Sequence, residues 1–472
     1  MENEDPVRPF YYIVAFWGST YRRHFLQLCL PSLLAPGNIP FLLGKRPSRF
    51  LISTTHQDWA ALSTDPLFSR LQTFVEPVFL ELRREVPDFL KTVVQEKMRR
   101  SSSESIERNR SVDCPLSPLD IATPEVFEEL QALGREMGVE LTDHHHYAVR
   151  ILFMSAGHKA AASQAHHDQA YGIFLAPDMV LSDGAVAHLH QLAQSGKKVV
   201  MVSACRFSLE DGIREFHNSG LMASAEALIL PPRKLVEMVF GCLHPETACF
   251  EFDSPLFSNP ATSAFWKVSG DEGVLLHSFF WAPLLVDYVG IDRHHGDYFD
   301  AGGTTDGKYI AMHFDFNRDV SPVTDSDEIF LASFTPRGEY AYSVRAGILK
   351  QIPGLRMHYK TFLIRRTLYG PMGDPMKRSL YRWPVRLHSQ SLSLEWKEVE
   401  QRADQIVKRA LKVPGVWGRT ANTVLWLKSL CAGPNLSGRI RNVGGYLIGK
   451  ISPQTRTWLK RILGQWGMGK RS

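Results

Sequence analysis

The sequence lacks the features by which several large classes of protein are recognised. Its 472 residues contain no apolar run of about 18, so no transmembrane helix is predicted. The opening stretch MENEDPVRPF is acidic and has no apolar core, so we expect no signal peptide and a cytoplasmic location. The six cysteines show no CxxC spacing, which predicts reduced and mostly buried thiols.

Two kinds of catalytic motif are also missing. No GxGxxG occurs, so a Rossmann-type dinucleotide cofactor is disfavoured. Neither HExxH nor HxHxDH occurs, which argues against a metal hydrolase. That rival class nevertheless stays open, because histidines and acids cluster late in the sequence. They are His294, His295, Asp297, Asp300, His313 and Asp315.

Charge is distributed unevenly along the chain. Residues 335–472 hold 26 Lys and Arg against 6 Asp and Glu, a net charge of +20, whereas residues 1–334 have a net charge of −15. A basic segment beside an acidic body predicts a region that meets a polyanion. We favour an anionic membrane surface over nucleic acid, because the segment has no recognisable nucleic-acid motif and its aromatic residues follow a helical stripe.

The basic region, residues 336–472, is predicted to be helical and interrupted by prolines. Its longest helical pattern covers 392–411, with apolar residues on one face. Near the end, Trp458 and Trp466 recur at helical spacing beside several basic residues, which is typical of a peripheral membrane helix. A helix packed on the body with its lysines outward is the alternative.

The first 82 residues alternate between strand and helix patterns. Apolar, β-rich runs cover 11–16, 49–54 and 74–82, and helical patterns cover 20–34 and 55–71. A β-α-β-α-β start of this kind is typical of a nucleotide-binding half of an α/β domain.

The stretch 171–184, YGIFLAPDMVLSDG, is the one around which the chain is organised. It predicts a buried strand over 173–176, preceded by an Ala-rich helix over 154–170. In open α/β sheets, ligands lie beyond the carboxyl ends of the strands, which is where Asp178 falls. A carboxylate there could hold a divalent cation against a diphosphate. The plainer alternative is that Asp178 and Asp183 only cap a turn.

The line QAYGIFLAPDMVLSDG resembles the nucleotide-sugar glycosyltransferases of the GT-A fold, especially those like family 2. There, a helix with small residues leads into a strand that ends in Asp-x-Asp. Ala176-Pro177-Asp178 stands at that place here, so only the second acid is present. The resemblance implies a GT-A-like, mostly parallel α/β sheet with helices on both faces over residues 10–335. Residues 97–118, which are rich in Ser and Arg, predict a flexible insertion within it.

The resemblance also implies ligand-binding residues, each of which has a plainer structural alternative, such as a core aromatic or a solvated helix face. It places Asp178 and His277 as ligands of Mn²⁺ or Mg²⁺, and Trp281 against the acceptor. The nucleotide-sugar-binding residues that it implies, or that follow strand ends on the ligand side, are Phe16, Trp17, Gly18, Thr54, Thr55, Ser155, His158, Lys159 and Arg206.

An inverting enzyme of this kind needs a carboxylate that deprotonates the acceptor hydroxyl. Asp306, in Thr305-Asp306-Gly307, is the first choice by position, and Asp327 is the second. The resemblance thus implies transfer of a sugar from a nucleotide-diphosphate sugar to a glycan or lipid-linked acceptor, in bacterial cell-surface synthesis. The missing first acid leaves open a non-catalytic nucleotide- or sugar-binding protein on a degenerate GT-A scaffold.

Overall fold

The computed structural model describes most of the chain up to residue 412. It covers residues 8–82, 95, 124–136, 138, 143–221, 227–268, 272–292, 294–340, 345–346, 356–370 and 372–412. One compact unit contains Met1–Ala346 with Leu363–Leu411, and a second contains Gly347–Phe362 with Lys412–Ser472. The predicted insertion at 97–118 and the predicted membrane helix with Trp458 and Trp466 lie outside the described residues. The proposed domain boundary at 335/336 stays a prediction.

Strands and helices alternate through the first two-thirds of the chain. The strands are β1 (Phe10–Ala15), β2 (Ser48–Thr54), β3 (Glu76–Glu81), β4 (Tyr171–Leu175), β5 (Met179–Leu181), β6 (Val199–Ser203), β7 (Arg206–Ser208), β8 (Ser258–Asn259), β9 (Ser263–Val268), β10 (Gly273–Ser278), β11 (Trp281–Asp287), β12 (Val320–Pro322), β13 (Leu331–Thr335), β14 (Arg345–Ala346) and β15 (Pro384–His388).

Helices fill most of the connections. They are α1 (Gly18–His24), which continues through a π-helical turn (Phe25–Cys29) into α2 (Leu30–Leu33), then α3 (His56–Ser63), α4 (Pro66–Leu71), α5 (Pro124–Glu136), α6 (Asp143–His167), α7 (Ala185–Gln194), α8 (Leu209–Asn218), α9 (Pro232–Phe240), α10 (Pro245–Ala248), α11 (Gly296–Asp300), α12 (Gly307–His313), α13 (Arg356–Tyr369), α14 (Pro375–Arg382) and α15 (Leu394–Leu411), with a 3₁₀ turn at Ile39–Leu42.

The central sheet has seven strands in the order β12-β6-β11-β4-β1-β2-β3. Every neighbouring pair is parallel except the two pairs that β11 makes with β4 and β6. The prediction of a mixed α/β fold with a mostly parallel sheet is therefore confirmed. The predicted strand at 173–176 corresponds to β4, which lies in the middle of the sheet.

Both faces of the sheet are covered, which explains why β1 and β4 are buried along their whole length. Alternate residues of β1, including Phe10, Tyr12 and Val14, join a core with residues of α2, α4 and α7. On the opposite face the long helix α6 packs against β1 and β2.

Gly157 sets how closely α6 approaches the sheet. A Cβ at this position would lie 2.8 Å from Cβ of Ala15 and 3.1 Å from Cβ of Ser53. The Ser53 hydroxyl also donates to the Gly157 carbonyl at 2.9 Å. Because Gly157 lies beside the last residue of β1, the turns of α6 that precede it extend past the carboxyl ends of the strands.

Two smaller sheets complete the described body. One has the order β5-β13-β7 and the other β15-β10-β9. Strand β15 comes from the region after residue 336 and pairs with β10 along five residues. No helix in the described part of the chain is long and apolar enough to cross a membrane.

Candidate functional site

The strand order reverses between β1 and β4. From β1 the chain moves outward through β2 to β3, and it then returns to place β4 on the other side of β1. Ligands of open α/β sheets bind at such a switch point, beyond the carboxyl ends of the strands. Trp17 follows β1 and Asp178 follows β4, so both predicted residues lie at this position.

Asp178 is half-buried and lies among charged side chains. Its backbone carbonyl accepts a hydrogen bond from the Phe334 amide at 3.0 Å, which joins it to β13. Burial and, to a smaller extent, the nearby Glu339 raise the pKa of the Asp178 carboxyl to about 6, while a backbone hydrogen bond, Arg206 and Arg150 act in the opposite direction. Asp178 therefore shares its electrostatic environment with two guanidinium groups and a second carboxylate.

Arg150 is a site residue that the sequence reasoning missed. It projects from α6, and its Nη2 donates to Oε1 of Glu339 at 2.5 Å while its Nη1 donates to the Tyr21 hydroxyl at 3.1 Å. The predicted helix began at Met154, so Arg150 fell in a segment with no assigned role. The signal available in the sequence was its position seven residues before Gly157, two helical turns away on the same face.

Arg206 lies where the sequence predicted it, three residues after the end of β6. Its Nη1 forms a 3.2 Å ion pair with Oε2 of Glu246, whose side chain is only 3% exposed. We call Arg150, Asp178, Arg206, Glu246 and Glu339 the switch-point cluster. It contains two guanidinium groups and three carboxyl groups.

Phe16 and Trp17 are buried at the end of β1. Phe16 stacks on Phe25 at 5.1 Å, and Trp17 meets Phe153 of α6 edge-on at 5.1 Å. Trp17 thus contacts the helix one turn from Arg150. Its indole Nε1 is buried without a hydrogen-bond partner among the described residues.

Gly18, Thr54 and Thr55 form the neighbouring strand ends. Gly18 has a φ of +82°, and its amide donates to Asp58 at 2.8 Å. Thr55 caps α3, with its hydroxyl donating to Asp58 at 2.7 Å. Thr54 is fully buried, and its hydroxyl has no partner in the part of the chain that the structure describes. Asp58 therefore ties the loops after β1 and β2 together.

Ser155, His158 and Lys159 contact the segment 299–305 rather than residues of the switch-point cluster. The Ser155 hydroxyl donates to the Phe299 carbonyl at 2.7 Å, and Lys159 forms a 2.6 Å ion pair with Asp300. His158 accepts from the Thr305 amide at 3.1 Å, and burial lowers its pKa to about 4. These side chains join α6 to the segment that holds α11 and α12.

The structure does not bring His277 to Asp178. His277 belongs to β10, in the separate sheet β15-β10-β9, and is 3% exposed. Its Nδ1 donates to the Tyr381 carbonyl at 3.0 Å, and burial lowers its pKa to about 4. The nearby Trp281 starts β11 opposite Ser203, at the carboxyl end of β6. Its ring is 6% exposed, and its Nε1 donates to the Ser278 carbonyl at 2.9 Å.

Asp306 caps a helix. Its Oδ1 accepts from the amides of Lys308 and Tyr309, at 2.8 and 3.1 Å, and from the Tyr298 hydroxyl at 3.0 Å. All three contacts involve the same carboxylate oxygen. Because Thr305 contacts His158, Asp306 lies alongside α6, next to the turn that follows Gly157.

Asp327 lies on the surface, away from Asp178. Its carboxylate accepts three hydrogen bonds from Arg233, at 2.7–3.1 Å. Strand β13 begins four residues after Asp327 and ends near Asp178, so the two acids lie at opposite ends of this strand.

Asp325, Asp327 and His388 each offer one metal-ligating atom, and these three atoms lie within 4.8 Å of one another. The group is already paired. His388 Nε2 lies 2.8 Å from Asp325, and Arg233 and Arg386 neutralise the two acids. Burial lowers the His388 pKa, but hydrogen bonds to Asp325 and to the Gln390 carbonyl, together with the charges of Asp325 and Asp327, outweigh it and raise that pKa. These contacts describe an ion-pair network that needs no metal for its charge balance.

Comparison with known proteins adds little to this geometry. No protein-family model and no curated protein matches the chain. Among solved structures, the apo form of mouse xyloside xylosyltransferase 1 has 9% sequence identity and a TM-score of 0.22. The match covers 45% of this chain and spans 59% of the length of that one. A TM-score this low carries no argument, so the function is argued from the site alone.

Proposed function

We propose that the protein is a GT-A-like glycosyltransferase that transfers a sugar from a nucleotide-diphosphate sugar to a hydroxyl acceptor. The observation that carries this proposal is the switch-point cluster. A half-buried carboxyl and two arginines, one from α6 and one from the segment after β6, converge beyond the carboxyl ends of parallel strands. Guanidinium groups match the geometry of phosphate oxygens, and the switch point is where α/β sheets bind nucleotides.

Most of the predicted residues have a role in this proposal. Arg206 contacts the diphosphate, and the loops of Trp17-Gly18 and Thr54-Thr55 surround the nucleoside. Trp281, at the neighbouring strand end, lies on the acceptor side. Ser155, His158 and Lys159 support the site by fixing α6 against the segment with Asp306, rather than by direct contact with phosphate.

A divalent cation is compatible with part of this site. Asp178 offers one carboxylate, the kind of oxygen ligand that Mg²⁺ and Mn²⁺ take, and substrate phosphates would supply the others. Such a cation would neutralise charge on the diphosphate leaving group. His277 does not fit this ligand set, because its Nδ1 is bonded to a backbone carbonyl inside another sheet.

Asp306 is the proposed catalytic base. Its helix-capping contacts all use Oδ1, so Oδ2 is the atom that would accept the proton of the acceptor hydroxyl. Asp327 remains the second choice, and its pairing with Arg233 makes it the weaker one. Asp306→Asn should abolish transfer but keep donor binding, whereas Asp327→Asn should reduce transfer only slightly.

One observation favours a second candidate function, a non-catalytic nucleotide- or sugar-binding protein. Ala176 stands where the family pattern has its first acid, and Asp178 is then the single carboxylate directly after β4. A scaffold of this kind would bind the same ligands without turning them over.

Nucleotide-sugar binding and turnover test the proposal. A panel of nucleotide sugars, with and without Mn²⁺, should contain one that raises Tm, because a ligand that binds only the native state stabilises it by mass action. Asp178→Asn should weaken this binding at least tenfold, and Asp253→Asn, at an exposed carboxylate, should not. Binding without donor hydrolysis or transfer would favour the second candidate, and a panel without any binder would reject both.

The proposed lipid-linked acceptor and anionic membrane surface rest on the basic region after residue 336. Sedimentation with vesicles of phosphatidylglycerol, compared with phosphatidylcholine, tests that assignment on the full chain. Binding to both lipids alike, or to neither, would remove the membrane from the proposal.

A further inference from the structure

The segment that follows β13 carries Glu339 onto Arg150. Several contacts hold this segment, and three of them involve charged or polar side chains of the body. Arg337 forms an ion pair with Asp211 at 2.5 Å, the Pro336 carbonyl lies 2.9 Å from Nε2 of His244, and Glu339 pairs with Arg150. The carboxylate of Glu339 therefore reaches the switch-point cluster from a strap-like segment rather than from the central sheet.

The ion pair between Arg150 and Glu339 has the two-pronged geometry that an arginine also forms with a phosphate ligand. Nη2 of Arg150 lies 2.5 Å from Oε1 of Glu339, and Nη1 lies 3.4 Å from Oε2, so two nitrogens face two oxygens. A guanidinium fork presents the same arrangement to a carboxylate as to a phosphate. The Tyr21 hydroxyl accepts from Nη1 independently of Glu339, which would keep the fork in place if the carboxylate left.

Charge balance indicates that one carboxylate must leave when a diphosphate binds. Three carboxyl groups already face two guanidinium groups in the cluster, so an added polyanion would meet net repulsion. Glu246 is 3% exposed, and the backbone of Asp178 is held by the Phe334 amide of β13. Glu339 has a side chain that is 23% exposed and lies beyond the end of β13, so it is the member that can move.

We propose that Glu339 occupies the phosphate position on Arg150 and that a diphosphate displaces it on binding. The inference rests on the proposed function, because it takes the diphosphate class of ligand from that site. Arg150 is then a phosphate-binding residue, and Glu339 is a built-in competitor that sets the affinity for the donor.

Inorganic pyrophosphate is the probe for this inference, since it lacks a nucleoside and a sugar. Titration calorimetry with EDTA present measures its Kd for the full chain. Glu339→Gln keeps the shape and removes the charge, so it should tighten pyrophosphate binding about tenfold. Arg150→Met should weaken binding at least about tenfold, and the double variant should show no gain from the change at Glu339.

Two control variants separate this effect from general changes in charge. Glu237→Gln removes a carboxylate from an exposed pair with Lys234, and Arg49→Met removes a guanidinium at the opposite edge of the sheet. Both should leave the Kd for pyrophosphate unchanged. Urea midpoints of all variants verify that each is folded.

Two results would overturn this inference. If Glu339→Gln leaves the Kd unchanged or weakens binding, the competitor role is wrong. If no variant binds pyrophosphate, this inference is rejected, while the nucleotide-sugar panel still judges the proposed function separately.

Discussion

Acid should destabilise this protein because several histidines are buried in neutral form. His24, His277 and His295 are 6%, 3% and 4% exposed. Burial is the main cause that lowers the pKa of each to about 4, from 6.5 for a free side chain. These histidines therefore bind protons in the unfolded chain at pH values where they stay neutral in the folded chain. The resulting stability is fully present above pH 6.5 and is lost as the pH falls toward 4.

The size of the effect follows from the two pKa values. Consider a histidine whose pKa is 6.5 in the unfolded state and about 4 in the folded state. At pH 5.5 it lowers the free energy of unfolding by about 1.4 kcal/mol. Three such groups cost about 4 kcal/mol, a large part of a typical unfolding free energy of about 5–15 kcal/mol. Asp178 opposes them, because its raised pKa makes the folded state take up a proton, but it recovers only about 1 kcal/mol.

His277→Gln is the sharpest test of this reasoning. Glutamine can still donate to the Tyr381 carbonyl but cannot take up a proton. The free energy of unfolding, from urea titrations at pH 7.5 and 5.5, should fall by about 1.4 kcal/mol less in this variant than in the wild type. His217→Gln, at an exposed position, is the control. If the free energy of unfolding falls equally between pH 7.5 and 5.5 in His277→Gln and in the wild type, His277 is not held neutral in the folded protein.

Other predictions concern packing and surface charge. Gly157→Ala should lower the free energy of unfolding by about 1–3 kcal/mol, because its Cβ would lie 2.8 Å from that of Ala15. Gly241→Ala, where no atom lies within 4 Å of the new Cβ, should change the free energy of unfolding by less than about 0.5 kcal/mol. If thermal unfolding shows the same loss of stability in both variants, the close packing of α6 is wrong. Arg233→Met should cost less than about 1 kcal/mol, because its ion pair with Asp327 is exposed; a larger loss would mean that the network with His388 is cooperative.

Much of the architecture could be predicted from local patterns. The apolar run between Gly172 and Pro177 predicts a buried strand, and β4 lies at the centre of the sheet. The Ala-rich helix predicted at 154–170 is the second half of α6. These features follow from sequence because strand and helix periodicity, turn residues and caps act over a few neighbouring positions. The rule that ligands lie beyond strand ends then placed Asp178 and Arg206 at the candidate site, and the family resemblance added Trp17.

Which side chains meet one another was decided by tertiary structure. Arg150 and Glu339 are 189 residues apart, and their pairing depends on how α6 and β13 pack on the sheet. His277 lies on a buried, mostly apolar strand, as Trp281 does, yet its strand pairs into a different sheet. Asp306 is the first choice of base by its position in the sequence, whereas the structure shows its carboxylate capping α12. The sequence by itself thus determined the elements and the edge at which a ligand would bind. Strand order and helix packing decided the partners of each charged group, because those contacts join residues far apart in the chain.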